Sequence, residues 1–186
     1  WDPAGRFEAF LLASRWSLSS VLEGLPLQAP FRWAIQIEDY QLEPVVRALR
    51  MPRVNMLLAD DVGLGKTIEA GMVIQELLAR QRIRRILVVC PASLQKQWAE
   101  EMISKFALRF EIVDRGYAQR LRREYGAHIN PWASYPRLIT SMDFLKREAP
   151  LQNFLASMQP MRTGGLRDWD LLVVDEAHNV APSGRG

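Results

Sequence analysis

The sequence predicts an α/β fold: a mostly parallel central sheet with helices on both faces, preceded by a helical extension. Three observations lead there. Short apolar runs of strand length alternate along the chain with longer stretches of helical spacing. Two of the strand-length runs end in polar turns of unusual content, one carrying glycines and a lysine, the other two adjacent carboxylates. A length of 186 residues with 48% apolar content is enough for one domain with a core of its own.

From the start of the chain, Phe7, Phe10, Leu11, Ser14, Leu18, Val21 and Leu22 fall at amphipathic helical spacing over residues 7–23, and Gly24 and Pro26 end that helix. Pro26 to Pro30 reads as a linker, so residues 1–36 form an extension and residues 37–186 the main domain. Gln41 begins a second helix, Leu42 to Arg50, with Val45, Val46 and Leu49 on one face and Pro52 beyond its end. Val54 to Ala59 reads as a short buried strand, and Thr67 to Arg80 as a helix through Ile68, Met72 and Val73. Arg85 to Cys90 is a strand closed by Pro91, and Ala92-Ser93-Leu94 starts the helix that carries Gln97 and Trp98. Phe110 to Val113 is a short strand before a basic helix, and Arg137 to Thr140 a strand ending at Ser141, before Phe144 and Leu145. Met158 to Gly165 is loop-like, and the run from Asp168 through Val174 leads into Asp175.

The turn between Val54–Ala59 and the helix after it reads Asp60-Asp61-Val62-Gly63-Leu64-Gly65-Lys66-Thr67. A strand that turns through glycines into a helix gathers backbone N–H groups and the positive end of the helix dipole at one point. Gly63 and Gly65 let the backbone curl close to an anion, where a Cβ would obstruct it. Lys66 is then placed to reach the β- and γ-phosphates of a nucleotide, and the Thr67 hydroxyl to ligate Mg²⁺. Asp60 stands where the usual pattern has its first glycine. A glycine turn with a surface lysine is the plain structural alternative.

Asp175-Glu176-Ala177-His178 closes the last apolar strand. In an open parallel sheet ligands collect at the carboxyl ends of the strands, which places Asp175 to hold Mg²⁺ through water and Glu176 to orient or deprotonate an attacking water. An acidic pair after a strand is by itself most often a solvated turn. The phosphate loop upstream reverses that balance.

In order, DDVGLGKTIEAG, CPASLQKQW, ITSMDFLKR and VVDEAH resemble the motifs of the SWI/SNF-type ATPases of helicase superfamily two. The likeness runs from about Tyr40 to the end of the chain and covers most of a first RecA-like lobe. GLGKTIEAG is similar to bacterial members, and RFEIVDRGY with NPWASYPRLITSMDFLKR resembles the Swi/Snf-like protein of the DISARM anti-phage system more than the RNA-polymerase-associated recycling ATPase. The resemblance implies ATP and Mg²⁺ as cofactors and double-stranded DNA as track, with RNA polymerase or other defence-system proteins among the partners. It also implies that Gln41 reads the adenine edge, for which an amide can both donate and accept; on the residues alone a helix-start glutamine is equally open. Ser93, Thr140 and Ser141, at strand ends and helix starts, are placed to hold DNA phosphates, with simple helix capping as the alternative.

The composition is compatible with this. No apolar run approaches the roughly 20 residues that span a bilayer, and no signal-peptide pattern is present. The single Cys90, before Pro91, excludes an internal disulfide, fits a reducing cytoplasm and reads as a buried structural thiol. With two histidines and one cysteine an ordinary zinc site is excluded, and His128 reads as a loop residue. Net charge is only +3, but Arg80, Arg82, Arg84 and Arg85, and again Arg115, Arg120, Arg122 and Arg123, form clusters that can meet phosphates or simply end helices.

The expected function is the ATP-binding lobe of an ATP hydrolase that moves on double-stranded DNA and remodels protein–DNA complexes. An RNA helicase of the same superfamily and a non-catalytic nucleotide switch are the alternatives, and Glu176 beside Asp175 argues against the second. The resemblance also implies a second RecA-like lobe with arginine fingers, each contributing about 10³–10⁵ in rate. This stretch alone is therefore expected to hydrolyse ATP hardly at all.

Overall fold

A computed structural model describes residues 27, 29, 39–59, 65–158 and 169–179. The helix expected over residues 7–23, and all of the 1–36 extension but Leu27 and Ala29, lie outside the described residues, as does the loop stretch 60–64. Two compact units divide the chain, Trp1–Arg80 and Gln81–Gly186.

In the first unit a 3-10 turn, Asp39–Leu42, contains Gln41 and leads into helix α1, Glu43–Arg50. Pro44 sits in its first turn, where a missing N–H costs nothing, and Arg47 folds back 2.7 Å onto Glu43. Val45, Val46 and Ala48 are buried. Helix α2, Lys66–Ala79, is buried without a break from Glu69 to Leu77. Such a helix is a core element rather than an amphipathic surface one, which is why its two buried carboxylates need partners. Glu76 has them: Oε2 accepts from the Ala29 amide at 2.9 Å and Oε1 from Arg80 Nε at 2.7 Å.

The strand expected at Val54–Ala59 is not formed among the described residues. The segment alternates between half-buried and exposed positions, with Leu57 79% exposed, but no hydrogen-bonded ladder among the described residues includes it. Apolar content reports a preference for burial; a strand also needs a neighbouring backbone to pair with.

The second unit carries a four-stranded sheet of order β2-β3-β1-β4, with β1 at Ile86–Cys90, β2 at Glu111–Ile112, β3 at Arg137–Ser141 and β4 at Leu171–Val174. Every pairing is parallel. β1 lies between β3 and β4 and is buried at all five residues, the pattern of a strand covered on both faces. Among the described residues β4 pairs with β1 alone and is half-exposed, with Leu172 at its surface.

Helix α3, Gln95–Phe106, follows β1 through the 3-10 turn Ala92–Leu94 and buries Trp98, Met102 and Phe106 at the spacing of one helical face. Ala107 ends it in the left-handed conformation, and the amides of Ala107 and Leu108 return to Ile103 and Met102. Helix α4, Arg115–Tyr125, starts at Asp114, whose carboxylate accepts from the Tyr117 amide at 2.7 Å. Short helix α5, Met142–Leu145, and α6, Glu148–Ser157, follow β3. Leu87, Val89, Leu138, Val113, Tyr117, Leu121 and Trp132 form one core, to which Phe154 adds an edge-on ring contact with Trp132. No helix among the described residues is long and apolar enough to cross a membrane.

Candidate functional site

Because all four strands run parallel, their carboxyl ends open on one edge of the sheet. Register places Cys90 beside Ser141, and the Asp175 amide donates to the Val89 carbonyl at 2.9 Å, so the acidic pair leaves the sheet next to the end of β1. Asp175 is half-buried and both of its oxygens are engaged. Oδ2 accepts from the indole Nε1 of Trp98 at 2.8 Å, and Oδ1 accepts from the Glu176 amide at 2.8 Å. Each oxygen keeps further lone-pair capacity on its open side. Glu176 is exposed and holds the left-handed conformation at φ +51°, uncommon for a residue with a Cβ. Its Oε2 lies 3.2 Å from His178 Nδ1. Ala177 and His178 stand in a short 3-10 turn, Ala177–Asn179.

The buried thiol of Cys90 feels this charge. Burial, and secondly the negative Asp175, push it up to about 12, which makes it a structural neutral group, as the sequence suggested.

In the first unit, the described part of the glycine loop begins at Gly65, which caps α2 in the left-handed region at φ +88°. Its carbonyl accepts from the Ile68 and Glu69 amides at 2.7 and 3.0 Å. Lys66 and Thr67 open the helix and are half-buried. Gln41, itself buried, lays its side-chain Nε2 3.3 Å from where a Cβ on Gly65 would stand. The expected base-reading glutamine therefore stands over the end of the expected phosphate loop. Asp60, Asp61, Val62, Gly63 and Leu64 lie outside the described residues.

The donor set suits magnesium. Among the described residues no three His, Cys, Asp or Glu side chains gather into a cage. A magnesium ion at a nucleotide needs none, resting on one or two carboxylates, waters and the phosphates themselves. Asp175, with its orientation fixed from both sides, fits such a role through water.

The three hydroxyls expected at nucleic acid fare differently. Ser93 is exposed in the turn after β1. Ser141 is buried and caps α5, its Oγ accepting from the Phe144 amide at 3.2 Å. Thr140 is corrected: it is 0% exposed and its Oγ1 donates to the Val113 carbonyl at 3.0 Å, so its side chain tethers β3 to the end of β2 and is not offered to a ligand. Arg85 likewise leaves the list of phosphate-binding candidates. It is buried, stacks 4.2 Å over the Trp169 ring and donates Nη2 to the Trp132 carbonyl at 2.8 Å. Arg80 is paired to Glu76. Arg115, Arg120, Arg122 and Arg123 are exposed along α4, and His128 is an exposed turn residue.

Two side chains that support the site were missed in the sequence. Trp98 holds Asp175, and Asp170, at the foot of β4, accepts from the amides of Arg84 and Arg85 at 2.7 and 2.8 Å, fastening β4 to the start of β1. The signal for Asp170 was visible as a charge directly before an apolar strand. Nothing local distinguished Trp98 from any other core aromatic.

The described geometry has close relatives. The family model of the SNF2-related domain matches residues 31–184. The RNA polymerase-associated protein RapA of Yersinia enterocolitica is 46% identical over 131 residues, which is 70% of this chain and 12% of that protein. RapA of Yersinia pestis is 45% identical over the same length. The chain thus spans about an eighth of these curated relatives. Among solved structures, the Sulfolobus solfataricus SWI2/SNF2 ATPase core in complex with dsDNA superposes with a TM-score of 0.56 at 27% identity, over 84% of this chain and 29% of that one. The same ATPase core domain in a second structure gives 0.57, over 83% and 28%.

Proposed function

The chain belongs to the SNF2-related domain family, and from that premise we propose that it is the ATP-binding lobe of a longer DNA-dependent ATPase that moves on double-stranded DNA. The observation that carries the reading is the Asp175–Glu176 pair at the carboxyl end of a parallel strand, with Asp175 oriented by two donors. A solvated acidic turn has no need of a buried indole donor. In this reading the backbone of residues 60–65 and Lys66 bind the nucleotide phosphates, Gln41 reads the adenine, and Thr67 and Asp175 hold Mg²⁺. Held by these two residues, Mg²⁺ would supply positive charge to offset that of the phosphates. Glu176, whose carboxylate is exposed, takes the proton of the attacking water. DNA phosphates run past Ser93, Ser141 and the start of α3, and the contact is one of backbone and charge without base readout. The double-stranded DNA in the Sulfolobus complex and the RNA polymerase association in the RapA name support the choice of partners. Arginines from a second RecA-like lobe complete the site, and the protein works in the cytoplasm, where either RNA polymerase or a defence system of the DISARM type supplies the context.

The full-length protein tests this. Lys66→Ala removes a charge-assisted phosphate contact of about 1.5–3 kcal/mol and should lower ATP affinity about tenfold or more. Glu176→Gln should keep ATP bound and lose DNA-stimulated turnover. ATP hydrolysis at the parental rate in Glu176→Gln, or stimulation by duplex RNA and not by duplex DNA, would sink the assignment.

A further inference from the structure

We propose that Trp98 is a positioning residue that fixes the Asp175 carboxylate and ties it to the segment following β1; this rests on Asp175 serving the metal of the nucleotide site. Asp175 and Trp98 lie 77 positions apart, and the bond between them is a charge-assisted one, from an indole N–H that can only donate to a carboxylate that can only accept. Trp98 is 4% exposed and sits one turn into α3, so its ring cannot rotate away without opening the core. Of the two donors on Asp175, the Glu176 amide belongs to the same turn and moves with it. Among the described residues, Trp98 is what fastens the carboxylate to another element.

That element begins at the exposed Ser93. From Pro91 the chain runs through the 3-10 turn Ala92–Leu94 directly into α3, with no loop to absorb a displacement. A phosphate drawn onto the turn at Ser93 would therefore shift the indole, and with it Oδ2 of Asp175. Trp98 gives the lobe a short mechanical link from its nucleic-acid edge to its nucleotide edge. The bland alternative is a core tryptophan whose N–H has merely found an acceptor.

Trp98→Phe separates the two, because it keeps an aromatic ring in the core and removes the N–H. Outer partners of metal ligands typically cost about 10–100-fold in metal affinity when lost. In the full-length protein, Trp98→Phe should leave nucleotide affinity without Mg²⁺ unchanged and cut the gain on adding Mg²⁺ by about tenfold or more. Asp175→Ala is run beside it. If Asp175→Ala abolishes that gain while Trp98→Phe preserves it, Trp98 is only a core residue and the metal assignment stands. If Asp175→Ala leaves the gain intact, the metal assignment itself falls, and the role of Trp98 with it. Should Trp98→Phe fail to fold, the indole ¹⁵N–¹H resonance of Trp98 in protein with its native Trp98 decides: it should move on Asp175→Ala, and an unmoved resonance overturns the link.

Discussion

The guanidinium of Arg85 lies 4.2 Å from the centre of the Trp169 ring, in the buried floor beneath the strand that carries the acidic pair. It also donates to the Trp132 carbonyl at 2.8 Å, so one side chain joins the starts of β1 and β4 to the turn at Pro131–Ala133. Arg85→Ala removes a desolvated cation–π contact and a buried charged hydrogen bond together, and should cost about 3 kcal/mol of stability in denaturant unfolding. Arg85→Lys should recover less than half, because an ammonium lacks the flat fork that stacks and donates at once. Equal stability of Lys and Arg at this position would contradict the stacking account.

Glu76 should matter to folding and not to chemistry. Its carboxylate is fully buried and shared between the Ala29 amide and Arg80. Glu76→Ala strands both donors, and breaking such a buried pair costs about 3–5 kcal/mol, toward the lower end here because Arg80 is partly exposed. A midpoint unchanged in urea would show that the pair is dispensable.

Gly65 holds a backbone position that tolerates a side chain poorly. At φ +88° any L residue carries a penalty of about 1–2 kcal/mol, and its Cβ would stand 3.3 Å from Gln41 Nε2. Gly65→Ala should therefore weaken nucleotide binding about tenfold, with the backbone strain alone worth most of it. Adding Gln41→Ala should relieve the contact and leave the strain. Because Gln41→Ala removes the adenine contact as well, the double variant is compared by calorimetry with Gln41→Ala alone; equal affinity of those two would mean that the contact and not the backbone sets the requirement.

Cys90 should be inert to thiol reagents in the folded protein at pH 8 and react at once on unfolding, since burial and Asp175 hold it neutral up to about 12. The stability it contributes is complete below the ordinary thiol range and is lost as pH rises through that range toward 12, because only the unfolded chain then ionises. Replacing Cys90 with Ala should flatten the fall in stability between about pH 9 and 12. A fall of the same steepness in the variant would assign it to other groups.

The sequence by itself determined the parts whose information is local. Residues 43–50, 66–79 and 95–106 carry helical spacing, and 86–90, 137–141 and 171–174 are apolar runs closed by a proline, a serine and an acid, so their elements were legible within a residue or two. The position of the acidic pair at the end of the last strand was legible too, while residues 60–64 of the glycine loop lie outside the described residues. Tertiary structure decided the rest. Thr140 and Ser141 are adjacent hydroxyls at a strand end, yet one faces the Val113 carbonyl and the other caps a helix. Arg85 belongs to a run of surface arginines by spacing, and only the arrival of Trp169 over it makes it a core residue. Val54–Ala59 has a strand's composition and forms no ladder among the described residues. Trp98 meets Asp175 only because β1 and β4 pair in parallel. Periodicity records which face a side chain turns to the core; which partner it finds there is fixed by strand order and register, and these join residues that sequence spacing does not relate.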